Sequence, residues 1–179
     1  MKKVLILSTS LRSGSNSAYL AKEFERGAKE AGNEVEFISL AGRSIGYCIG
    51  CLSCQKTQKC VIKDDAVDIA EKMKGADVLA FGTPVYYYGM SGQMKTLLDR
   101  MNPLFPSDYR FRDVYVLATA ADNDESAMDG AVAGMQGWLD CFEKARLAGV
   151  VRGVGINDAN AAKDHPEVCR KAYDMGKRV

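Results

Sequence analysis

Near its N-terminus the chain reads Val4-Leu-Ile-Leu-Ser-Thr-Ser-Leu-Arg-Ser-Gly-Ser-Asn-Ser17. The part from Val4 to Leu7 is continuously apolar, as in a strand that is covered on both faces of a parallel sheet. From Ser8 to Ser17 the chain changes to hydroxyls, one arginine and one glycine. An amphipathic helix pattern follows. Its apolar face carries Leu20, Phe24, Ala28 and Ala31. This stretch therefore predicts a first strand, a polar loop and a first helix.

The same alternation of strand and helix patterns continues to the last residues. Four further strand patterns start at Val35, Asp77, Val114 and Val150, and the last of them runs to Ile156. The order predicts the α/β class, with a doubly wound, five-stranded parallel sheet, right-handed crossovers and helices on both faces. No repeat or linker divides residues 1–179, so we predict a single domain. Ligands of such sheets bind in loops at the carboxyl ends of the strands.

Composition narrows the range of partners. The 179 residues are 47% apolar and 26% charged, and 24 Lys and Arg nearly balance 23 Asp and Glu. A net charge of +1 gives no reason to expect a nucleic acid or an anionic membrane as partner. The apolar run at the start is too short for a signal peptide core or a membrane span. We expect a cytoplasmic protein whose cysteines stay reduced.

The first loop has the features of an anion site. It precedes a helix, whose N-terminus offers unpaired N–H groups and a positive dipole. Arg12 adds a charged fork. Neutral donors come from Ser10, Ser13, Ser15, Asn16 and Ser17. The alternative is an ordinary helix cap among turn residues. A Walker loop and a dinucleotide fingerprint are both excluded, because Gly-Lys-Ser/Thr and G-x-G-x-x-G are missing.

The second loop, Thr83–Ser91, contains the three adjacent tyrosines Tyr86, Tyr87 and Tyr88. Neighbouring side chains of an extended chain point to opposite sides, so these rings cannot all enter one core. Aromatic faces are suitable walls for a flat heterocycle. Gly89 allows a close approach of the backbone. The alternative is an apolar loop that covers the sheet edge or contacts a second subunit.

Together the two loops resemble a known family. Ser8-x-Ser10-x-Arg12 followed by Gly14-x-Asn16 resembles the phosphate loop of the NAD(P)H-dependent FMN reductases, which have the flavodoxin-like fold. Pro84-Val-Tyr86, Gly92-x-x-Lys95 and Asp99-Arg100 are similar to that family's flavin loop and the helix after it. The resemblance covers essentially the whole chain and implies the strand order 2-1-3-4-5.

The resemblance also implies a set of FMN-binding residues. Those implied for the phosphate are Ser10, Arg12, Ser15, Asn16 and Ser17. Those implied for the isoalloxazine are Pro84, Val85, Tyr86, Tyr87 and Gly89. A third loop, Thr119-Ala-Ala-Asp122, would close the pocket beside the ring, with Thr119 and Ala120 as its binding residues. Lys95 and the Asp99-Arg100 pair are interpreted as a structural charge network, and no residue is assigned a catalytic role, because the flavin supplies the chemistry.

Four cysteines lie in a loop at residues 47–62, with the spacing Cys48-x2-Cys51-x2-Cys54-x5-Cys60. Three cysteines at x2 intervals and a nearby fourth resemble the ferredoxin ligation of a [4Fe–4S] cluster. Zinc fits less well, because zinc ribbons present two separated C-x2-C pairs. The spacing also matches the iron–sulfur flavoproteins, relatives of the FMN reductases. The alternative is a compact loop of reduced thiols, since related reductases carry similar stretches. Cys141 and Cys169 are predicted to be small core residues.

The sequence therefore predicts an FMN-dependent oxidoreductase that takes hydride from NAD(P)H and passes electrons to a flavin, a quinone or a similar small-molecule or protein acceptor. One alternative is an iron–sulfur flavoprotein that moves single electrons between a [4Fe–4S] cluster and FMN. Another is a flavin-binding carrier or redox sensor that is not an enzyme. We also predict a homodimer or homotetramer, because the segment 101–111 carries several large apolar side chains that a monomer would struggle to bury. They are Leu104, Phe105, Tyr109 and Phe111.

Overall fold

The computed structural model describes all residues 1–179 and contains six strands and six helices. The strands are β1 (Lys3–Ser8), β2 (Glu34–Ser39), β3 (Val78–Tyr86), β4 (Gly89–Met90), β5 (Asp113–Thr119) and β6 (Arg146–Gly153). The helices are α1 (Asn16–Glu30), α2 (Ser53–Thr57), α3 (Asp65–Gly75), α4 (Gly92–Arg100), α5 (Asp129–Leu139) and α6 (Pro166–Lys177). Short 3₁₀ turns lie at Asn102–Leu104, Glu125–Met128 and Ala161–Asp164. No helix has the length and apolar character needed to cross a bilayer.

The five long strands are parallel and lie in the order β2-β1-β3-β5-β6. Without the short β4 this is the predicted order 2-1-3-4-5, so the predicted fold is confirmed. The last strand begins earlier than predicted, at Arg146 instead of Val150. Arg146 pairs with Asp113 in the sheet register and its Nε donates to the Asp113 carboxylate at 2.8 Å. A charged residue can begin the strand here because its side chain stays in solvent.

The strands alternate their side chains between two cores, one on each face of the sheet. In β1, Val4 and Ile6 face the core beneath α1 and α6, whereas Leu5 and Leu7 face the core beneath α3, α4 and α5. All four side chains are buried. This two-sided burial explains why the strand is continuously apolar, and it brings the loop after β1 to the middle of the carboxyl edge of the sheet.

One feature of the strand pattern was not predicted. β3 continues beyond its predicted end at Gly82 to Tyr86, and the chain then turns back into β4, which pairs antiparallel with the end of β3 through Val85–Met90 and Tyr86–Gly89. The tyrosine loop is therefore a β-hairpin that projects from the sheet.

The structure of the segment 101–111 corrects the argument that led to the predicted homodimer or homotetramer. Leu104, Tyr109 and Phe111 are buried within the chain, and only Phe105 is exposed. The ring of Tyr109 stacks on Phe111 with centroids 4.6 Å apart, and Phe142 meets the Tyr109 ring edge-on at 5.1 Å. The expectation that a monomer would struggle to bury these residues is wrong for three of the four, and Phe142, in the turn after α5, packs on both Tyr109 and Phe111. The homodimer or homotetramer itself remains a prediction.

Candidate cofactor site and cysteine loop

The loop between β1 and α1 presents a row of free amides. Ser15 is the N-cap of α1, and its hydroxyl accepts a hydrogen bond from the Ala18 amide at 3.2 Å. The preceding Gly14 has a φ of +68°, which turns the backbone into the helix. No backbone N–H from Ser13 to Ser17 donates a hydrogen bond within the chain. Consecutive free amides at a helix N-terminus form a concave anion site.

A cavity lies beside these amides, between the end of β3 and the loops that follow β1, β5 and β6. Its lining residues are Ser10, Arg12, Ser15, Asn16, Pro84, Val85, Tyr86, Thr119, Ala121, Ile156 and Asn157. The structure thus gathers residues predicted from three separate loops around one space at the carboxyl edge of the sheet. Tyr86 is half exposed at the rim of this space.

Four of the predicted cofactor residues do not line the cavity. Ser17 is fully buried under the start of α1, with its hydroxyl 3.3 Å from that of Ser15. Ala120, within the third loop, is buried. Tyr87 and Gly89 belong to the hairpin, where Tyr87 is completely exposed.

The Asn16 side chain makes its hydrogen bonds within the chain, whereas the resemblance implies that it contacts the phosphate. Its Nδ2 donates to the carbonyl oxygens of Ile156 at 3.4 Å and Asp158 at 2.8 Å, and its Oδ1 accepts from the Ala162 amide at 3.0 Å. The carboxamide is therefore fully used in holding the segment after β6, and only the backbone N–H of Asn16 is free for an anion.

This segment contributes cavity residues that the sequence analysis missed. Ile156 and Asn157 line the cavity, and Arg12 Nη1 donates to the Asn157 carbonyl oxygen at 2.7 Å. A usable signal was present, because the last parallel strand also ends at the carboxyl edge and is followed by a Gly-Ile-Asn-Asp turn. Ala121, which also lines the cavity, lies in the third loop that was expected to close the pocket.

The hairpin at the rim has an unusual turn. Tyr87 and Tyr88 have φ values of +49° and +61°, so both adopt the left-handed conformation of a two-residue turn that normally takes Asn and Gly. Each such residue costs about 1 kcal/mol. Helix α5 fixes the hairpin: a Cβ added to Gly130 would lie 2.3 Å from the Tyr88 carbonyl oxygen. Tyr88 Oη reaches Asp122 of the third loop at 3.5 Å.

Three buried hydroxyls join the first and second loops. Thr9 Oγ1 donates to the Gly82 carbonyl oxygen at 3.0 Å and lies 3.0 Å from Ser91 Oγ. The Ser91 amide donates to Thr83 Oγ1 at 3.1 Å, and Ser91 Oγ caps α4 by accepting from the Met94 amide at 3.3 Å. This network fixes the ends of β1 and β3 and the start of α4 relative to one another. The two loops are therefore held in one geometry before any ligand binds.

The four clustered cysteines surround a second, smaller cavity. It is lined by Cys48, Ile49, Cys51, Leu52, Cys54, Cys60, Val61, Ile62 and Asn102. Hydrogen bonds from the amide and hydroxyl of Ser53 lower the pKa of Cys51. Cys54 is buried, and its Sγ accepts a hydrogen bond from Asn102 Nδ2 at 3.2 Å.

The sulfurs of the four clustered cysteines do not converge on a single point. No three Cys, His, Asp or Glu side chains in the chain converge closely enough to hold one metal ion. A [4Fe–4S] cluster carries one cysteine on each iron, so its ligands stand apart around a cube instead of meeting at one atom. Four cysteines around one apolar cavity fit that requirement better than they fit a single zinc ion.

The neck of the cysteine loop is closed by Arg100, at the C-terminus of α4. Its side chain is fully buried, and its Nη1 and Nη2 donate to the two carboxylate oxygens of Asp64 at 2.6 and 2.9 Å. The same nitrogens donate to the carbonyl oxygens of Gly46 at 2.8 Å and Ile62 at 3.1 Å. Burial opposes ionisation of Asp64, but the bonds from Arg100, Gly46 and Ala66 outweigh it and lower the pKa of Asp64.

The charged residues of α4 form two separate ion pairs instead of one network. Lys95 and Asp99 form an exposed pair at 2.7 Å, and Arg100 is buried. The prediction for the two lone cysteines holds only in part. Cys169 is half-buried and its thiol donates to the Ala162 carbonyl oxygen, but Cys141 is exposed at the end of α5 and is not a core residue.

Comparison with solved structures supports the fold. The chain superposes on an azoreductase from Bacillus anthracis with a TM-score of 0.76 at 16% identity, covering 100% of both chains. It superposes equally well on an NAD(P)H:quinone oxidoreductase from Methanothermobacter marburgensis, with a TM-score of 0.76 at 18% identity, over 99% of this chain and 95% of that one. At such identities the similarity shows the flavodoxin-like fold alone.

Sequence relatives carry a more specific similarity. An iron–sulfur flavoprotein of Methanocaldococcus jannaschii is 45% identical over 102 residues, which are 57% of this chain and 53% of that protein. An iron–sulfur flavoprotein of Archaeoglobus fulgidus is 36% identical over 106 residues, 58% of this chain and 46% of that protein. The chain thus spans about half the length of the curated relatives it matches. The family model for NADPH-dependent FMN reductase matches residues 2–151, so the chain belongs to that family, as its loop motifs predicted.

Proposed function

We propose that this protein is an FMN-dependent oxidoreductase that takes electrons from NAD(P)H and passes them to a second acceptor. The observation that carries the proposal is the row of free amides from Ser13 to Ser17 beside Arg12, at the edge of a cavity. This donor set fits a phosphate, and the aromatic and apolar residues Pro84, Val85 and Tyr86 fit a flat ring next to it. Family membership supports the same cofactor.

The protein's part is to hold and orient. FMN, when bound, would supply two-electron chemistry toward a nicotinamide and one- or two-electron chemistry toward the acceptor. The first loop holds the phosphate through neutral amides and one positive charge. Asn16 keeps the segment after β6 against that loop, and the hydroxyl network around Ser91 keeps the second loop in register with it. No side chain of the cavity other than that of Arg12 is charged, so no acid or base is assigned.

Two measurements test this function. Titration of the FMN-free protein with FMN, followed by flavin fluorescence, should show saturable binding. Steady-state oxidation of NADH and NADPH is then measured with quinone, azo and flavin acceptors, with and without FMN. Turnover that requires FMN supports the proposal. FMN binding without turnover for any acceptor would contradict it and leave the carrier or sensor that the sequence also allowed.

A second function is favoured by the cysteine cavity: an iron–sulfur flavoprotein in which Cys48, Cys51, Cys54 and Cys60 would hold a [4Fe–4S] cluster. All four thiols line one small space whose other walls are mostly apolar, and Asn102 already donates to one sulfur. The sequence relatives named iron–sulfur flavoproteins support the same reading. A cluster there would supply single-electron chemistry, while the loop would provide four thiolates, of which that of Cys54 is buried and those of Cys48 and Cys51 are exposed.

Anaerobic purification with iron and sulfide supplied tests the second function. We expect brown protein with about four irons per chain. Cys54→Ser should lose the iron and keep FMN binding, because the cofactor cavity lies in other loops, whereas Cys141→Ser, at an exposed cysteine outside the loop, should change neither. Iron-free, yellow wild-type protein from this preparation would refute the second function without affecting the first.

A further inference from the structure

We propose that Arg100 and Asn102 are positioning residues for the cysteine loop: Arg100 closes its neck without metal, and both side chains supply the N–H donors that face the cysteine sulfurs. This inference rests on the second proposed function. It concerns two residues outside the four-cysteine motif, on the last turn of α4 and the 3₁₀ turn after it.

We call the Arg100–Asp64 ion pair, together with the bonds that join it to the two ends of the cysteine loop, the clamp. The Arg100 side chain is 0% exposed and that of Asp64 is 9% exposed, and two parallel N–H to oxygen bonds join them. Arg100 also bonds the carbonyl oxygens of Gly46, just before the loop, and Ile62, at its end. The Gly46 amide completes the ring by donating to Asp64 at 2.8 Å. Both ends of the loop are therefore fixed to α4 and to the start of α3.

One donor of Arg100 has no partner inside the chain. Its Nε is buried and makes no hydrogen bond, although every other buried side-chain nitrogen or oxygen except Ser8 Oγ has a partner. Cys60 and Arg100 line the same small cavity beside the start of α3. A buried N–H without a partner is costly, and a sulfur that carries negative charge at Cys60 would satisfy it.

Asn102 makes the corresponding contact from the next turn. Its Nδ2 donates to Cys54 Sγ at 3.2 Å, and Asn102 lines the same cavity as the four cysteines. Donors on a helix end and the turn that follows it keep their direction better than donors in the loop itself. Hydrogen bonds to cluster sulfurs are one of the controls of reduction potential. They favour the reduced cluster because it carries one more negative charge.

The clamp is tested in metal-free protein by hydrogen exchange of the amides at residues 46–62. We expect Arg100→Lys, which keeps the charge but loses the fork, to exchange at least tenfold faster there, with the sheet unchanged. Arg110→Lys is the matched control, because Arg110 is also paired with an aspartate, Asp77, but at the surface. Unchanged exchange in Arg100→Lys would overturn the clamp. If Arg100→Lys does not fold, Asp64→Asn is measured by the same criterion.

The donors are tested by spectroelectrochemistry of the reconstituted cluster. We expect Asn102→Leu, which has the same branching at Cγ but no donor, to shift the one-electron equilibrium about tenfold toward the oxidised cluster, a fall of about 59 mV. Asn33→Leu, remote from the loop, should not change the potential. An unchanged potential in Asn102→Leu overturns this role. Failure of wild-type protein to assemble a cluster would overturn the second function and this role with it, whereas the exchange measurement would still decide the clamp.

Discussion

Replacement of Arg12 by alanine distinguishes the contribution of the phosphate to FMN binding from the contribution of the ring. Arg12 lies at the edge of the cavity, where its Nη1 is bonded to the Asn157 carbonyl oxygen and its other donors are free. A hydrogen bond to a charged partner contributes about 1.5–3 kcal/mol, and the exposure of Arg12 places the expected loss at the lower end. About 1.5 kcal/mol corresponds to an FMN Kd that is roughly tenfold higher.

The assay is a fluorescence titration with two ligands. FMN should lose about tenfold in affinity, whereas riboflavin, which lacks the phosphate, should lose much less. Arg170→Ala, which removes an exposed arginine on α6, controls for the change in net charge. The difference between Arg12→Ala and wild type should also shrink as salt is added, because the contact is screened. Equal losses for FMN and riboflavin would refute the assignment of the first loop to the phosphate.

Three further changes test the hairpin and the clamp. Gly130→Ala should destabilise the protein by about 1–3 kcal/mol and weaken the binding of FMN and riboflavin equally, because the new Cβ displaces the hairpin. Urea unfolding and ligand titration measure the two effects. Gly137→Ala, which has open space around its Cβ, is the control and should show neither effect. Tyr88→Gly should stabilise the protein by about 1 kcal/mol in the same unfolding assay, since glycine accepts a positive φ; a loss of stability would contradict the strain argument. Asp64→Asn should cost about 3 kcal/mol at pH 7 by leaving Arg100 buried without its counter-charge. Because the folded-state pKa of Asp64 is lowered, this stabilisation is complete above the unfolded pKa of about 3.9 and is lost as the pH falls through the lower folded value. The gap between wild type and Asp64→Asn should therefore close only in acid, and a gap that is constant down to pH 2 would contradict the ion pair.

The fold could be predicted because its determinants are local. Continuous apolar runs, helical periodicity and the position of Pro166 at the start of α6 each depend on a few neighbouring residues. The hairpin was missed for a local reason as well, since Tyr-Tyr does not have the composition of a two-residue turn. The surrounding packing imposes that conformation, and single-sequence patterns do not report packing.

The other differences come from contacts between distant parts of the chain. The sequence indicates that Asn16 is polar and near a helix start, but not that its carboxamide is bonded to residues after β6. The aromatic segment at residues 101–111 looked too apolar for a monomer because Phe142, which covers part of it, comes from a separate element. The loops of the site could be predicted, and the assignment of each side chain within them could not.

The three hydrogen bonds of Asn16 hold residues that lie outside the family match. The family match ends at residue 151, two residues before the end of β6 at Gly153, and a chain shortened there would lose α6, which packs against α1. It would also lose Ile156 and Asn157, one wall of the cavity and a partner of Arg12. The segment after β6 is therefore part of both the core beneath α1 and the cofactor cavity, although the family match does not include it.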